Sequence, residues 1–319
     1  MSGGRIPALL ATALAPALWG TTYGVTRELL PPGRPLLAAA VRALPVGLAL
    51  VAMSRSLPRG PWWWRAAMLG VLNIGLFFAL LFTAAYRLPG GVAATVGGLQ
   101  PLVVVALSWP LLGERPRTLR AGAALLGAAG VWLLVARAAG RLDPVGVWAA
   151  ALGTVSMATG VVLTKRWCPP VPLLAFTGWQ LAAGGLLLLP FALVVEGLPD
   201  ALRLGATAGY AYLALAGGGL AYLLWFRGVG RLAPAAVSLL GLLSPLVALL
   251  VGWAALGETL TGFQLLGVLL VLTAVVLGQI PREAGRPRLA PAGVSRMRWN
   301  TTQHDTDSAP GGSEPPYAV

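Results

Sequence analysis

Ten long apolar stretches separated by short polar breaks organise this chain of 319 residues. They run over about 7–26, 35–53, 64–86, 91–112, 119–136, 144–164, 172–194, 206–226, 233–256 and 262–279. The breaks carry Pro, Gly and charge, as at Pro31-Pro32-Gly33-Arg34, Pro89-Gly90-Gly91, Pro169-Pro170 and Gly257-Glu258. Such clusters end helices. A helix that crosses the hydrocarbon core of a bilayer needs about 20 mainly apolar residues. The pattern therefore predicts an all-α integral membrane protein with ten transmembrane helices.

One stretch occurs twice. Pro101 to Glu114 reads PLVVVALSWPLLGE, and Pro245 to Glu258 reads PLVALLVGWAALGE. The two agree without a gap at Pro101/Pro245, Leu102/Leu246, Val103/Val247, Trp109/Trp253, Leu112/Leu256, Gly113/Gly257 and Glu114/Glu258, all at an offset of 144. Pro31-Pro32 and Pro169-Pro170 correspond at 138, as do Thr26/Thr164 and Leu36/Leu174. Internal repetition of this kind defines the architecture. It predicts a first five-helix repeat over 7–136 and a second over 144–279. Five is odd, so the halves enter the membrane with opposite polarity. Inverted repeats are the architecture of secondary transporters, whose site lies between the halves near mid-membrane.

Composition supports lipid as the surrounding solvent. Apolar residues make up 57% and charged ones 10%, against about 25% charged in soluble domains. The net charge of +13 is no sign of nucleic-acid binding, because the cations sit in short loops rather than on one polar face. Their distribution sets orientation instead. With the N-terminus cytoplasmic, sixteen of the 23 Lys and Arg lie inside and six outside, with Arg42 inside a helix. Both termini are then expected in the cytoplasm of a multi-pass protein of the inner or plasma membrane. The first stretch imitates a secretory signal through Arg5 and Ala13-Leu14-Ala15, but its apolar run continues through Trp19 to Val25, so it reads as the first helix. Residues 281–319 are rich in Pro, Gly, Ser, Thr and charge. They are expected to form a disordered cytoplasmic tail, whose five arginines suit anionic headgroups. Cys168 is the lone cysteine, so no internal disulfide is expected.

In these residues the chain resembles a ten-helix member of the drug/metabolite transporter superfamily, EamA type. The first half carries Leu18-Trp19-Gly20, Pro31-Pro32 and Ala39-Ala40-Val41-Arg42; the second carries Trp179-Gln180-Leu181, Ala221 to Arg227, and Leu243-Ser244-Pro245 through Glu258. The likeness spans about 7–279. It implies a carrier of amino acids, other metabolites or toxic compounds, needing no cofactor and no metal.

Arg42 is the sharpest candidate for chemistry. It lies seven residues into its helix, about 10 Å along the axis. A charge near mid-bilayer costs at least about 2.5–3.5 kcal/mol and should face protein or a water-filled cavity. It either anchors an anionic group of a solute or bonds helix-end carbonyls. Its counterpart in the second half, Gln180, is uncharged. Trp19, Thr22, Tyr23, Asn73, Phe77, Gln100, Ser156, Trp179, Tyr222, Ser238 and Ser244 complete the expected cavity lining, with Thr154, Tyr86, Trp225 and Phe226 as further candidates. Apolar walls with a few polar groups suit an organic solute. Trp62-Trp63-Trp64 reads as an interfacial anchor, and Tyr86 and Trp225 are open to the same interfacial reading. Glu114 and Glu258 read as helix-junction residues, and Thr261 with Gln264 as a capping box. No Asp or Glu lies well inside an apolar stretch, which favours a facilitator or exchanger over an ion-coupled carrier.

Together these features predict a secondary transporter that exports a small amino acid-like or amphipathic metabolite. The alternatives are a non-transporting membrane sensor or scaffold and a lipid-modifying membrane enzyme. The enzyme would need buried acid, base or nucleophile, whereas the single histidine, His304, lies in the tail.

Overall fold

A computed structural model describes residues 5–88, 96–114, 118–135, 143–199, 203–256 and 261–280. The tail expected over 281–319, Glu258 and the side chain of Tyr23 lie outside the described residues. Among the described residues, ten helices follow one another. They are α1 (Arg5–Gly20, then Thr22–Leu29), α2 (Pro35–Ser54), α3 (Trp62–Arg87), α4 (Gln100–Leu112) and α5 (Thr118–Val135) in the first half. In the second half are α6 (Pro144–Trp167), α7 (Leu173–Glu196), α8 (Leu204–Arg231), α9 (Pro234–Leu240, then Leu243–Leu256) and α10 (Gly262–Gly278). Seven of these spans are long and apolar enough to cross a membrane, and α4, α5 and α10 are shorter apolar helices.

Local chemistry sets the helix ends. Proline occupies the first turn of α2 and α6, where a missing N–H is no loss. Asp143 caps α6 through the Val145 and Gly146 amides and also takes a hydrogen bond from Arg87 at 3.0 Å. Those donors, the Arg87 guanidinium first, hold its carboxyl below the usual range. Thr261 and Gln264 form the expected reciprocal box at the start of α10. Gly113 closes α4 at a φ of +68°, and Glu114 follows directly, at the junction the repeat anticipated.

Several spans differ from the sequence expectation. α3 begins at Trp62, so all three tryptophans lie in its first turn. The continuous helix expected over 233–256 is broken at Gly241-Leu242. The cause is Pro245, which has no N–H for the Gly241 carbonyl and whose ring crowds it. Pro101 stands in the same relation to Gly97, and the chain turns at Gly98-Leu99 before α4. The repeated stretch thus begins at the same kink in both halves.

α2 and α7 occupy equivalent places in the repeat and cross at the centre of the molecule. A Cβ on Gly47 would lie 2.4 Å from the Ala182 nitrogen, and one on Gly185 would lie 2.7 Å from the Leu44 nitrogen. Gly47 and Gly185 are equivalent at an offset of 138, and so are Leu44 and Ala182. The contact is therefore self-complementary, as in a two-fold interface. Moving up α2 moves down α7: Leu36 and Leu37 meet Glu196, whereas Ser56 meets Trp179. Equivalent helices are antiparallel, so the two repeats are inverted. α5 and α10 repeat the arrangement, with Gly127 facing Ala274 and Gly130 facing Leu270. Other contacts follow the same exchange: α3 packs on α6 as α8 packs on α1, and α4 packs on α6 as α9 packs on α1.

Alternation of ten helices gives two faces. One carries Arg55, Arg59, Arg65, Arg120, Lys165, Arg166, Arg227 and Arg231; the other carries Arg27, Arg34, Arg87 and Arg203. The first is called the arginine-rich face below. Trp63 and Trp64 are exposed on it, where indoles suit a membrane interface. On the opposite face, Glu196 accepts the Leu36 and Leu37 amides at 2.8 Å each, placing a carboxylate at the positive end of α2.

Replacing Gly47 or Gly185 by leucine forces α2 and α7 apart against backbone atoms. Overpacking costs about 1–3 kcal/mol or more. Thermal unfolding of the detergent-solubilised protein is expected to show a lower midpoint for either variant. The same substitution at Gly24, where an added Cβ meets nothing within 4 Å, should have a much smaller effect.

Candidate functional site

A cavity of about 110 Å³ lies between α1, α2, α3, α4, α6 and α9. Trp19, Thr22, Arg42, Phe77, Gln100 and Ser244, all expected from the sequence, line it, and so does Thr154. Gln100 and Ser244 are equivalent residues, each directly before the repeated proline. They reach the cavity from opposite halves because the kinks at Gly97 and Gly241 open there. The remaining walls come from Leu81, Ala84, Ala149, Ala150, Gly153 and Met157. Composition concealed these residues. The signal was the spacing of small residues: Ala149, Ala150 and Gly153 share one face of α6 and leave a hollow beside α3.

Arg42 is 2% exposed and belongs to the cavity wall. Its Nη2 donates to the Gly217 carbonyl at 3.0 Å, and its Nη1 reaches Thr22 Oγ1 at 3.4 Å. The guanidinium lies 4.6 Å from the Phe78 ring centroid, a cation–π arrangement. The Trp19 indole N–H donates to the same Gly217 carbonyl at 3.0 Å. That carbonyl is available because α8 is wound as a π-helix over Leu213–Leu220. Hydrogen bonds from i+5 to i displace the regular ladder and leave acceptors for side chains. Arg42 thus bonds a helix carbonyl, and it also borders the cavity.

The other half contains the matching junction without a charge. α3 is π-wound over Val71–Gly75, the equivalent stretch at an offset of 144. There Asn73 Nδ2 donates to Gln180 Oε1 at 2.7 Å and reaches Thr164 Oγ1 at 3.4 Å. Asn73 is the equivalent of Gly217, as Gln180 is of Arg42. The Tyr222 hydroxyl donates to the Asn73 carbonyl at 3.2 Å, and Ser156 Oγ donates to the Leu72 carbonyl at 2.8 Å. The structure thus places Asn73, Gln180, Tyr222 and Ser156 in a buried network beside the cavity rather than on its wall.

The last candidates lie elsewhere. Trp179 donates its indole N–H to the Ser56 carbonyl at the arginine-rich face. Ser238 bonds the Ala235 carbonyl within α9. Tyr86 is half-buried and donates to the Pro31 carbonyl at 3.0 Å. Trp225 is not interfacial: it is fully buried against Trp19, with ring centroids 5.1 Å apart. Its neighbours Tyr222 and Phe226 are equally buried, so one side of α8 forms an aromatic core. Trp225 and Phe226 lie toward the arginine-rich end of α8.

Comparison with known proteins agrees with this architecture. The chain is 50% identical to Protein PecM of Dickeya dadantii over 267 residues, which is 83% of this chain and 90% of the relative. It is 30% identical to the uncharacterized inner membrane transporter YedA of Escherichia coli, over 82% of this chain and 86% of that one. A crystal structure with 23% sequence identity superposes with a TM-score of 0.72, covering 86% of this chain and 96% of the other, and shows the same fold. The model of the EamA-like transporter family matches twice, at residues 6–136 and 144–278. With both of its halves matching that model, the chain belongs to the EamA-like transporter family.

Proposed function

We propose that the protein exports a small organic solute across the cytoplasmic membrane by alternating access, and that the solute pairs an anionic or zwitterionic end with an apolar body. The observation that carries this reading is Arg42 on the wall of a cavity that also presents Trp19 and Phe77. The guanidinium sets the sign of the charge, in a low-dielectric site where such a field acts strongly. The aromatic rings and Met157 receive the apolar part. Thr22, Thr154, Gln100 and Ser244 supply neutral hydrogen-bonding groups from both halves, which can differ in spacing when the halves move. The arginine-rich face is assigned to the cytoplasm by the usual bias of cations, which puts both termini there. The lack of an acidic residue well inside the apolar stretches supports uncoupled exchange or facilitated efflux.

Counterflow in proteoliposomes, across a panel of amino acids, aromatic carboxylates, nucleobases and cationic drugs, tests the reading. Flux is expected for anionic or zwitterionic members and absent for the cations. Arg42→Ala should abolish that flux while leaving expression intact; a variant that is merely unstable would make the arginine structural. Asn73→Ala provides the contrast. It strips the donor from the Gln180 amide, at a cost of about 1–3 kcal/mol, so it should lower the melting temperature while leaving the KM for the solute near that of the unmodified protein. Reporter tags on the two ends should both be found on the cytoplasmic side.

A further inference from the structure

The two halves match in sequence and connection but are packed differently, and the difference has a direction. The cavity separates α1, at Trp19 and Thr22, from α3, at Phe77, Leu81 and Ala84. Exchanging the halves carries this gap to α6 and α8 on the arginine-rich side, where it is filled. Trp225, the equivalent of Leu81, and Ala221, the equivalent of Phe77, are both fully buried. The difference lies at those two positions: Phe77 and Leu81 are only partly buried, whereas Ala84 is as buried as its equivalent Gly228, each against a helix of the other half.

A cation fastens the filled side. Lys165, near the end of α6, donates from Nζ to the carbonyls of Val229, Gly230 and Leu232 at 3.1, 3.3 and 3.1 Å. The last carbonyls of a helix have no partner within it and carry the negative end of its dipole. An ammonium group has three donors, and here three carbonyls take them. The equivalent residue on α1 is Arg27, since Thr26-Arg27 aligns with Thr164-Lys165. Arg27 is not clasped: its side chain is 82% exposed, with Glu28 at 3.8 Å. Yet the end of α3 is built like the end of α8. Arg87-Leu88 repeats as Arg231-Leu232. The amide of Leu88 bonds the Ala84 carbonyl, as that of Leu232 bonds the Gly228 carbonyl, both at 2.8 Å.

Resting on the alternating-access reading, we propose that Lys165 and Arg27 are alternating clasps. Lys165 holds the arginine-rich side shut in the conformation described. When that side opens, Lys165 leaves the end of α8, the gap between α1 and α3 closes, and Arg27 takes the carbonyls at the end of α3. Each cation engages a helix terminus in one conformation and is released from it in the other. The clasps therefore set the balance between the two without touching the solute.

Cysteine accessibility measures that balance without any substrate. In full-length protein carrying Cys168→Ser, a Leu81→Cys reporter sits on the cavity wall and a Thr12→Cys reporter in the packed equivalent region. Sealed vesicles are labelled with a membrane-impermeant maleimide applied to one face at a time. Without further change, Leu81→Cys should react from the face opposite the arginines and Thr12→Cys should react slowly from the arginine-rich face. Lys165→Ala removes charged hydrogen bonds, so Leu81→Cys labelling should fall and Thr12→Cys labelling rise, each by roughly tenfold. Lys165→Arg should restore the original rates. Arg27→Ala should act oppositely, lowering Thr12→Cys labelling. Lys165→Ala that raises both rates, or leaves both unchanged, overturns the proposal. Should Lys165→Ala not fold, Arg27→Ala decides: reduced Thr12→Cys labelling supports the clasps and unchanged labelling overturns them. Solute flux accompanied by no reciprocal change in labelling sinks the clasps and leaves the transport reading standing.

Discussion

Two glycines at the crossing of α2 and α7 bring two backbones into contact, and the remaining architecture is arranged around that approach. Lipid offers no hydrophobic drive for helices to associate, so association depends on close packing and on small residues that permit it. Gly47 and Gly185 each lie on the partner's backbone at the residue equivalent to the one their own helix offers in return. A contact with this reciprocity makes the two halves mirror one another through an in-plane axis. It also makes α2 and α7 a closely packed core, on whose flanks α1, α3, α6 and α8 are placed. Several of those outer helices carry a turn or a π-wound stretch.

Those irregular stretches are the second consequence of the axis. Regular helices in a membrane consume their own carbonyls and present only side chains to a neighbour. α3 and α8 each depart from regular winding at the same point of the repeat. Each exposes backbone acceptors where a polar residue of the opposite half arrives. Irregular backbone at membrane depth is tolerated where it is buried in protein or borders a cavity, and both conditions hold. The polar core is therefore shared between side chains and backbone, with Arg42, Trp19, Ser156 and Tyr222 all ending on carbonyls.

Much of this was legible in the sequence, and the reasons differ by feature. The helices followed from apolar length, and the inversion from an odd number of helices per copy. Arg42, Trp19 and Thr22 could be placed because a charge and its polar neighbours are conspicuous in an apolar run. The lining by Leu81, Ala149 and Gly153 was hidden, because those residue types occur equally on lipid-facing and interior surfaces. The separation of Asn73 and Gln180 from the cavity was hidden too. Their partners are about a hundred residues away, and one winding defect in α3 determines which way Asn73 points. Pro245 was visible as part of the repeat, yet its effect on α9 emerges only when the carbonyl it blocks, that of Gly241, is identified.

The pairing of Arg42 with Gln180 also bears on why the two copies are joined in one chain. Two identical subunits inserted in opposite orientations would carry every residue in duplicate around the axis. A guanidinium at this position would then appear twice at the centre of the membrane, doubling the burial penalty and adding mutual repulsion at low dielectric. Covalent fusion lifts that stoichiometric restriction. One copy keeps the cation while the other holds a neutral amide, and the interior gains a polarity that no symmetric dimer of either copy could possess.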